Sequence, residues 1–235
     1  MIFYDGSAAG RDGGNGAAPD PTKRALTPGQ ATTFANVSNY ARGLNGVMFD
    51  FTPLSSDVSL LPNDFSFSAA GGSYLLPASF TYSRGGGAAG ADRVTVTFSG
   101  NAVKNGWLQV KLFPSPYLGL AETRTYFFAS LIGDTGDNAP RAPRVDAMDL
   151  VRTRNHLGAA DADSLSRYDF NRDRRIDARD LLVVRQNQGR VLSPPPGSPQ
   201  PATLPAPPPP APQSPSTAIT HRIDDVTMPA TPFFT

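Results

Sequence analysis

Cysteine is missing from all 235 residues, so no disulfide staples the fold. A secreted eukaryotic domain of this size often uses such staples; their absence fits a bacterial protein of either compartment. No apolar run approaches the length of a membrane span. Charge of one sign is not in excess either. Against 20 Asp and Glu stand 21 Lys and Arg, a net charge of +1 with no basic block. Phosphate binding needs a concentrated positive face, so nucleic acid is excluded as a partner. Histidine is scarce: His156 lies at the end of a helical stretch, where a cation suits the helix dipole, and His221 lies in a polar tail. Neither has a nucleophile to serve. The opening residues MIFYDGSAAGRDGG carry no basic start and no apolar stretch of signal-peptide length. Taken literally they describe a cytoplasmic chain. Phe3–Tyr4, however, reads as the middle of a strand, so the expectation is the end of a longer secreted protein or a start that lies further upstream.

Turn formers are abundant instead. With 24 Pro and 22 Gly, the chain must contain many turns and an unfolded stretch. Short runs alternate apolar and polar between the turn clusters. Val47, Phe49 and Phe51 oppose Met48 and Asp50; Phe65 pairs with Phe67, and Phe80 with Tyr82. Val94, Val96 and Phe98 oppose Arg93, Thr95 and Thr97. Leu108, Val110 and Leu112 oppose Trp107, Gln109 and Lys111, and Tyr126-Phe127-Phe128 closes the series. Period-two alternation with regular turn signals predicts a mainly β chain, an antiparallel β-sandwich over residues 1–131. A small α-helical unit follows over 132–192. The run SPPPGSPQPATLPAPPPPAPQSP then lacks both apolar side chains for a core and a backbone donor at each Pro. Residues 193–235 are therefore expected to be a disordered, polyproline-like tether.

The helical unit contains a repeat. Val145-Asp146-Ala147-Met148-Asp149-Leu150 recurs as Ile176-Asp177-Ala178-Arg179-Asp180-Leu181, a shift of 31 residues that also sets Arg154 on Arg185 and Gly158 on Gly189. Asp146 and Asp177 suit helix N-caps, Asp149 and Asp180 the third position of capping boxes, and the two glycines the left-handed residue beyond each helix. Leu150, Leu181 and Val184 are expected to face one another between the helices.

Upstream of the second helix, Asp169, Asn171, Asp173, Asp177 and Asp180 place oxygen side chains at positions 1, 3, 5, 9 and 12 of a loop, with the Arg175 carbonyl at position 7. That is the spacing of an EF-hand calcium loop: a hard ion needs six to eight oxygens, which alternate residues of a tight turn can aim inward. Position 6 is Arg174 where such a loop favours Gly. Arg172, Arg174 and Arg179 are expected to offset the acids from outside. The first copy, Asp134 to Asp149, is four residues longer than Asp169 to Asp180. It can close on an ion through Asp134, Asp137 or Asn138, Asp146 and Asp149, or collapse without one.

Two calcium-loop-plus-helix units, each lacking the entering helix of an EF-hand, resemble a type I dockerin over about residues 132–191. The resemblance implies a non-catalytic module of secreted or cell-surface bacterial proteins. Such modules fold on binding Ca2+ and dock onto cohesin-like β-sandwich proteins, often in polysaccharide-degrading systems. The upstream segments FYDGSA, TPGQATTFANVSNYARGLNGVMFDF, DRVTVTF, NGWLQVKL and YFFASLIGDTGDN resemble a β-sandwich module that precedes dockerin-like repeats at the ends of large bacterial surface proteins. The expected function is a calcium-binding interaction module rather than an enzyme. The alternative is an accessory part, docking or carbohydrate-binding, of a glycoside hydrolase system. A hydrolase needs two carboxylates held across a cleft, and the acids of the β region form no motif. Trp107 and Tyr117 are the candidate sugar platforms, with core packing the simpler role for a strand Trp. With a boundary at Leu131–Gly133, chelation is expected to melt the repeat and spare the sandwich.

Overall fold

The computed structural model describes residue 2 and residues 20–69, 72–99, 102–136, 142–159 and 166–195. Phe3–Tyr4, Asp137, Asn138 and the tail beyond Pro195 lie outside them. The alternating runs become strands β1 (Val37–Ser38), β2 (Gly46–Phe51), β3 (Phe65–Ala69), β4 (Ser79–Ser83), β5 (Asp92–Thr97), β6 (Gly106–Leu112) and β7 (Arg124–Ser130). They form two sheets, ordered β1-β7-β6-β3 and β2-β5-β4. Every pairing is antiparallel except β1 with β7. Phe65, Phe67, Val94, Val96, Leu108, Val110 and Phe128 meet between the sheets, where burial of apolar surface drives the two layers together. Ile2 bridges to Val47 and Asp20.

The hairpin from β4 to β5 is pinned by one carboxylate. Asp92 accepts from the Leu54 and Gly85 N–H groups at 3.0 and 2.9 Å and from the Tyr82 hydroxyl at 2.7 Å. These bonds hold its carboxyl down at about 2.

The outer face of the β1-β7-β6 sheet is also covered. Val37, Trp107, Phe127 and Ala129 point away from the sandwich interior into a second core, shared with Val145, Phe170, Val184 and Leu192 of the C-terminal part. Trp107 is 4% exposed, and its indole N–H donates to the Ser193 carbonyl at 2.6 Å. It is thus a core residue; of the two candidate platforms only Tyr117 is exposed. Residues on both sides of Leu131–Gly133 contribute to this core, and the described residues all fall within one compact unit.

The C-terminal part contains helices α1 (Ala147–Asn155) and α2 (Ala178–Asn187). Each starts at the predicted cap: Asp146 accepts from the Met148 N–H and Asp177 from the Arg179 N–H, with Asp149 and Asp180 completing capping boxes. Gly158 and Gly189 have φ of +83° and +84°, the left-handed conformation that glycine adopts without steric cost. The two copies then exchange backbone bonds about a pseudo-twofold axis. Val145 pairs with Gly189 and Arg190, and Ile176 with Gly158 and Ala159. Val184 is fully buried, whereas Leu150 and Leu181 are only half-buried: the helices bury their apolar stripe partly against the sheet rather than wholly against each other.

Candidate metal centre

The second loop takes up the backbone course its acids predict. Arg172 and Arg174, at loop positions 4 and 6, have φ of +57° and +70°. These left-handed residues turn the chain tightly enough to bring both of its ends to one place. Asp169 begins the loop, and its two oxygens accept from the Asp173 N–H at 3.2 Å and the Arg174 N–H at 2.8 Å. Asp180 closes it from α2, accepting from the Phe170 N–H at 2.8 Å and the Asp177 N–H at 3.0 Å. Asn171 and Asp173 bond to each other and to loop amides. Asp169 and Asp180 are both fully buried. Burial pushes the Asp169 carboxyl up to about 6, against the pull of the Arg174 N–H and the Arg172 charge. It pushes Asp180 up as well, against the Asp177 and Phe170 amides.

Among the described residues no three acidic or histidine side chains converge as a ligand set, and these carboxylates accept from backbone N–H groups. The donor chemistry nonetheless fits a hard cation: five oxygen-bearing side chains and the Arg175 carbonyl lie on one tight loop, and two carboxylates already withdrawn from water stand at its ends. Asp169, Asn171, Asp173, Arg175 through its carbonyl, Asp177 and Asp180 are the residues that would hold it. Bound there, an ion would neutralise the buried acids and fix the loop.

The first loop repeats the ends of the second. The Thr135 N–H and hydroxyl donate to Asp149 at 2.8 and 2.7 Å, and the Asp146 N–H donates to Asp149 at 2.7 Å. Thr135 thus stands where Phe170 stands, and Asp134, buried beside it, where Asp169 stands. The repeat is offset by 35 residues at the loop start (134 to 169) and by 31 at its end (149 to 180), so the added length lies between. Asp137 and Asn138 fall in that stretch, outside the described residues.

Of the three arginines expected outside the loop, Arg179 lies 3.4 Å from Asp173 in an exposed pair. Arg174 is exposed. Arg172 is buried and runs the other way, into the sandwich. Its guanidinium donates to the Ser166 carbonyl at 2.6 Å, to the Asp169 carbonyl, and to the Asn39 side chain at 2.7 Å. The Ala41 N–H reaches the Phe170 carbonyl at 2.7 Å. Loop spacing carries no signal for the contacts to Asn39 and Ala41, because those partners lie more than a hundred residues away.

Residues 143–187 match the family model of the dockerin type I domain. No curated protein and no solved structure matches the chain. The matched stretch holds the end of the first loop, both helices and the whole second loop, so this loop–helix pair is a dockerin-like module. Protein docking is the role that kind of module has.

Proposed function

We propose that residues 132–192 form a calcium-dependent docking module of a secreted or cell-surface protein, and that this chain binds and does not catalyse. The observation that supports the reading is the Asp169–Asp180 loop: EF-hand donors in sequence, left-handed turns at positions 4 and 6, and closure by a helix-borne carboxylate. The partner expected for a dockerin-like surface is a cohesin-like β-sandwich. Both helices offer it matching apolar residues, since Val151 and Leu182 are repeat mates with 47% and 52% exposure, flanked by exposed Met148 and Arg179. Their neighbours Arg152 and Val183, also repeat mates, are half-buried.

No helix of the described residues is long and apolar enough to cross a membrane. A polysaccharide-degrading system is the setting in which such modules often serve, and an accessory role there is the second reading. Calcium titration of the full chain tests the first. At least one site is expected, abolished by Asp169→Ala or Asp180→Ala, and docking to a cohesin-like partner should vanish on chelation. No heat at millimolar calcium, or partner binding that survives chelation, would sink it.

A further inference from the structure

We propose that Asn39, in the sandwich, is a positioning residue for the second ion loop and ties it to the start of the first. This rests on the calcium reading above. Asn39 is fully buried just after β1. Its amide nitrogen donates to the Asp134 carbonyl at 2.8 Å and the Arg167 carbonyl at 2.7 Å, while its oxygen accepts from Arg172 at 2.7 Å. Only one amide orientation satisfies this set, because carbonyls only accept and a guanidinium only donates. No other side chain of that size offers two donors beside one acceptor. One residue of the β part therefore touches the first residue of one loop, and both the approach to the other loop and its fourth residue.

Arg172 carries the effect onward. Its φ of +57° is one of the two left-handed turns of the loop, and its guanidinium is held at one end by Asn39 and at the other by the Asp169 carbonyl. The bond from the Ala41 N–H to the Phe170 carbonyl fixes the residue between. Positions 1, 2 and 4 of the loop are thus set by contacts outside the ligand set. A loop held in its binding course has less freedom to lose when the ion arrives, and affinity rises accordingly.

The test is calcium calorimetry on the full chain and two variants, well below their melting temperatures. Asn39→Ala is expected to weaken the tightest site about 10–100-fold, the range typical of residues that orient metal ligands. A control, Val96→Ala, disturbs the sandwich core away from the loops and should lower the melting temperature with affinity unchanged. Arg172→Met serves if Asn39→Ala fails to fold. Removing a cation from an ion loop tightens binding by Coulomb's law alone, so a weaker site in Arg172→Met is a positioning effect. A parent that binds calcium beside an Asn39→Ala chain that binds it equally, or an Arg172→Met chain that binds it as tightly or tighter, overturns the inference. A parent that binds none overturns the calcium reading and the inference with it.

Discussion

Arg174 shows how far a single residue can depart from the rule of its loop. Position 6 requires positive φ, which costs a side chain bearing a Cβ about 1 kcal/mol relative to glycine, and the structure gives Arg174 a φ of +70°. The strain is retained at the centre of the loop. Arg174→Gly should therefore raise the stability of the ion-free chain by about 0.5–1 kcal/mol, less the extra freedom glycine brings to the unfolded state. The midpoint of a denaturant titration in chelator measures it; a midpoint that falls would mean the arginine side chain contributes more than the turn costs. This position was legible from spacing alone. The role of Arg172 was not: on the same spacing it reads as a surface counter-charge, and only the fold carries it to Asn39.

At the scale of elements, alternation was a sound guide wherever one face of a strand met the core. Phe65 and Phe67, or Val94 and Val96, point inward as their spacing requires. It was a weaker guide in β6 and β7. Trp107 beside Leu108, and Phe127 beside Phe128, break the alternation because both faces of that sheet are buried, and a continuous apolar run is the sequence mark of a strand covered on both sides. The capping boxes, the terminal glycines and the four-residue insertion in the first loop were readable because each is set by neighbours in the chain. The hairpin of β4 and β5 supplies a prediction at this scale. Asp92 is held ionised by Leu54, Gly85 and Tyr82, so its folded value of about 2 lies below the ordinary carboxylate value of 3.8. Its contribution is complete above that ordinary value and is lost as pH falls toward 2. Asp92→Asn should flatten the acid limb of the stability curve in that window and leave its slope near neutrality unchanged, as thermal melts across pH would show.

For the molecule as a whole, the boundary at Leu131–Gly133 is a change of periodicity and not a gap in packing. Val145, Phe170, Val184 and Leu192 bury themselves against Trp107, Phe127 and Ala129, and Asn39 bonds across the same junction. An ion that binds only the folded form stabilises it by RT ln(1 + [Ca]/Kd), about 2.7 kcal/mol at a hundredfold excess over Kd. We propose that this stabilisation is felt by the sandwich too. Calorimetric melts should show one main transition that chelator lowers as a whole. Two well-separated transitions, with only the smaller sensitive to calcium, would instead support the independence expected from sequence.

Trp107 is the one tryptophan in the chain, and it sits in that junction with its N–H on the Ser193 carbonyl. Aromatic emission at the long-wavelength end of the protein's spectrum therefore comes from a single indole. The ring is shielded by the sheet beneath it and by the chain leaving α2 above it. The protein thus carries its own optical probe, placed where its β and helical parts join, and the colour of its fluorescence reports whether that seam is closed without any label being added.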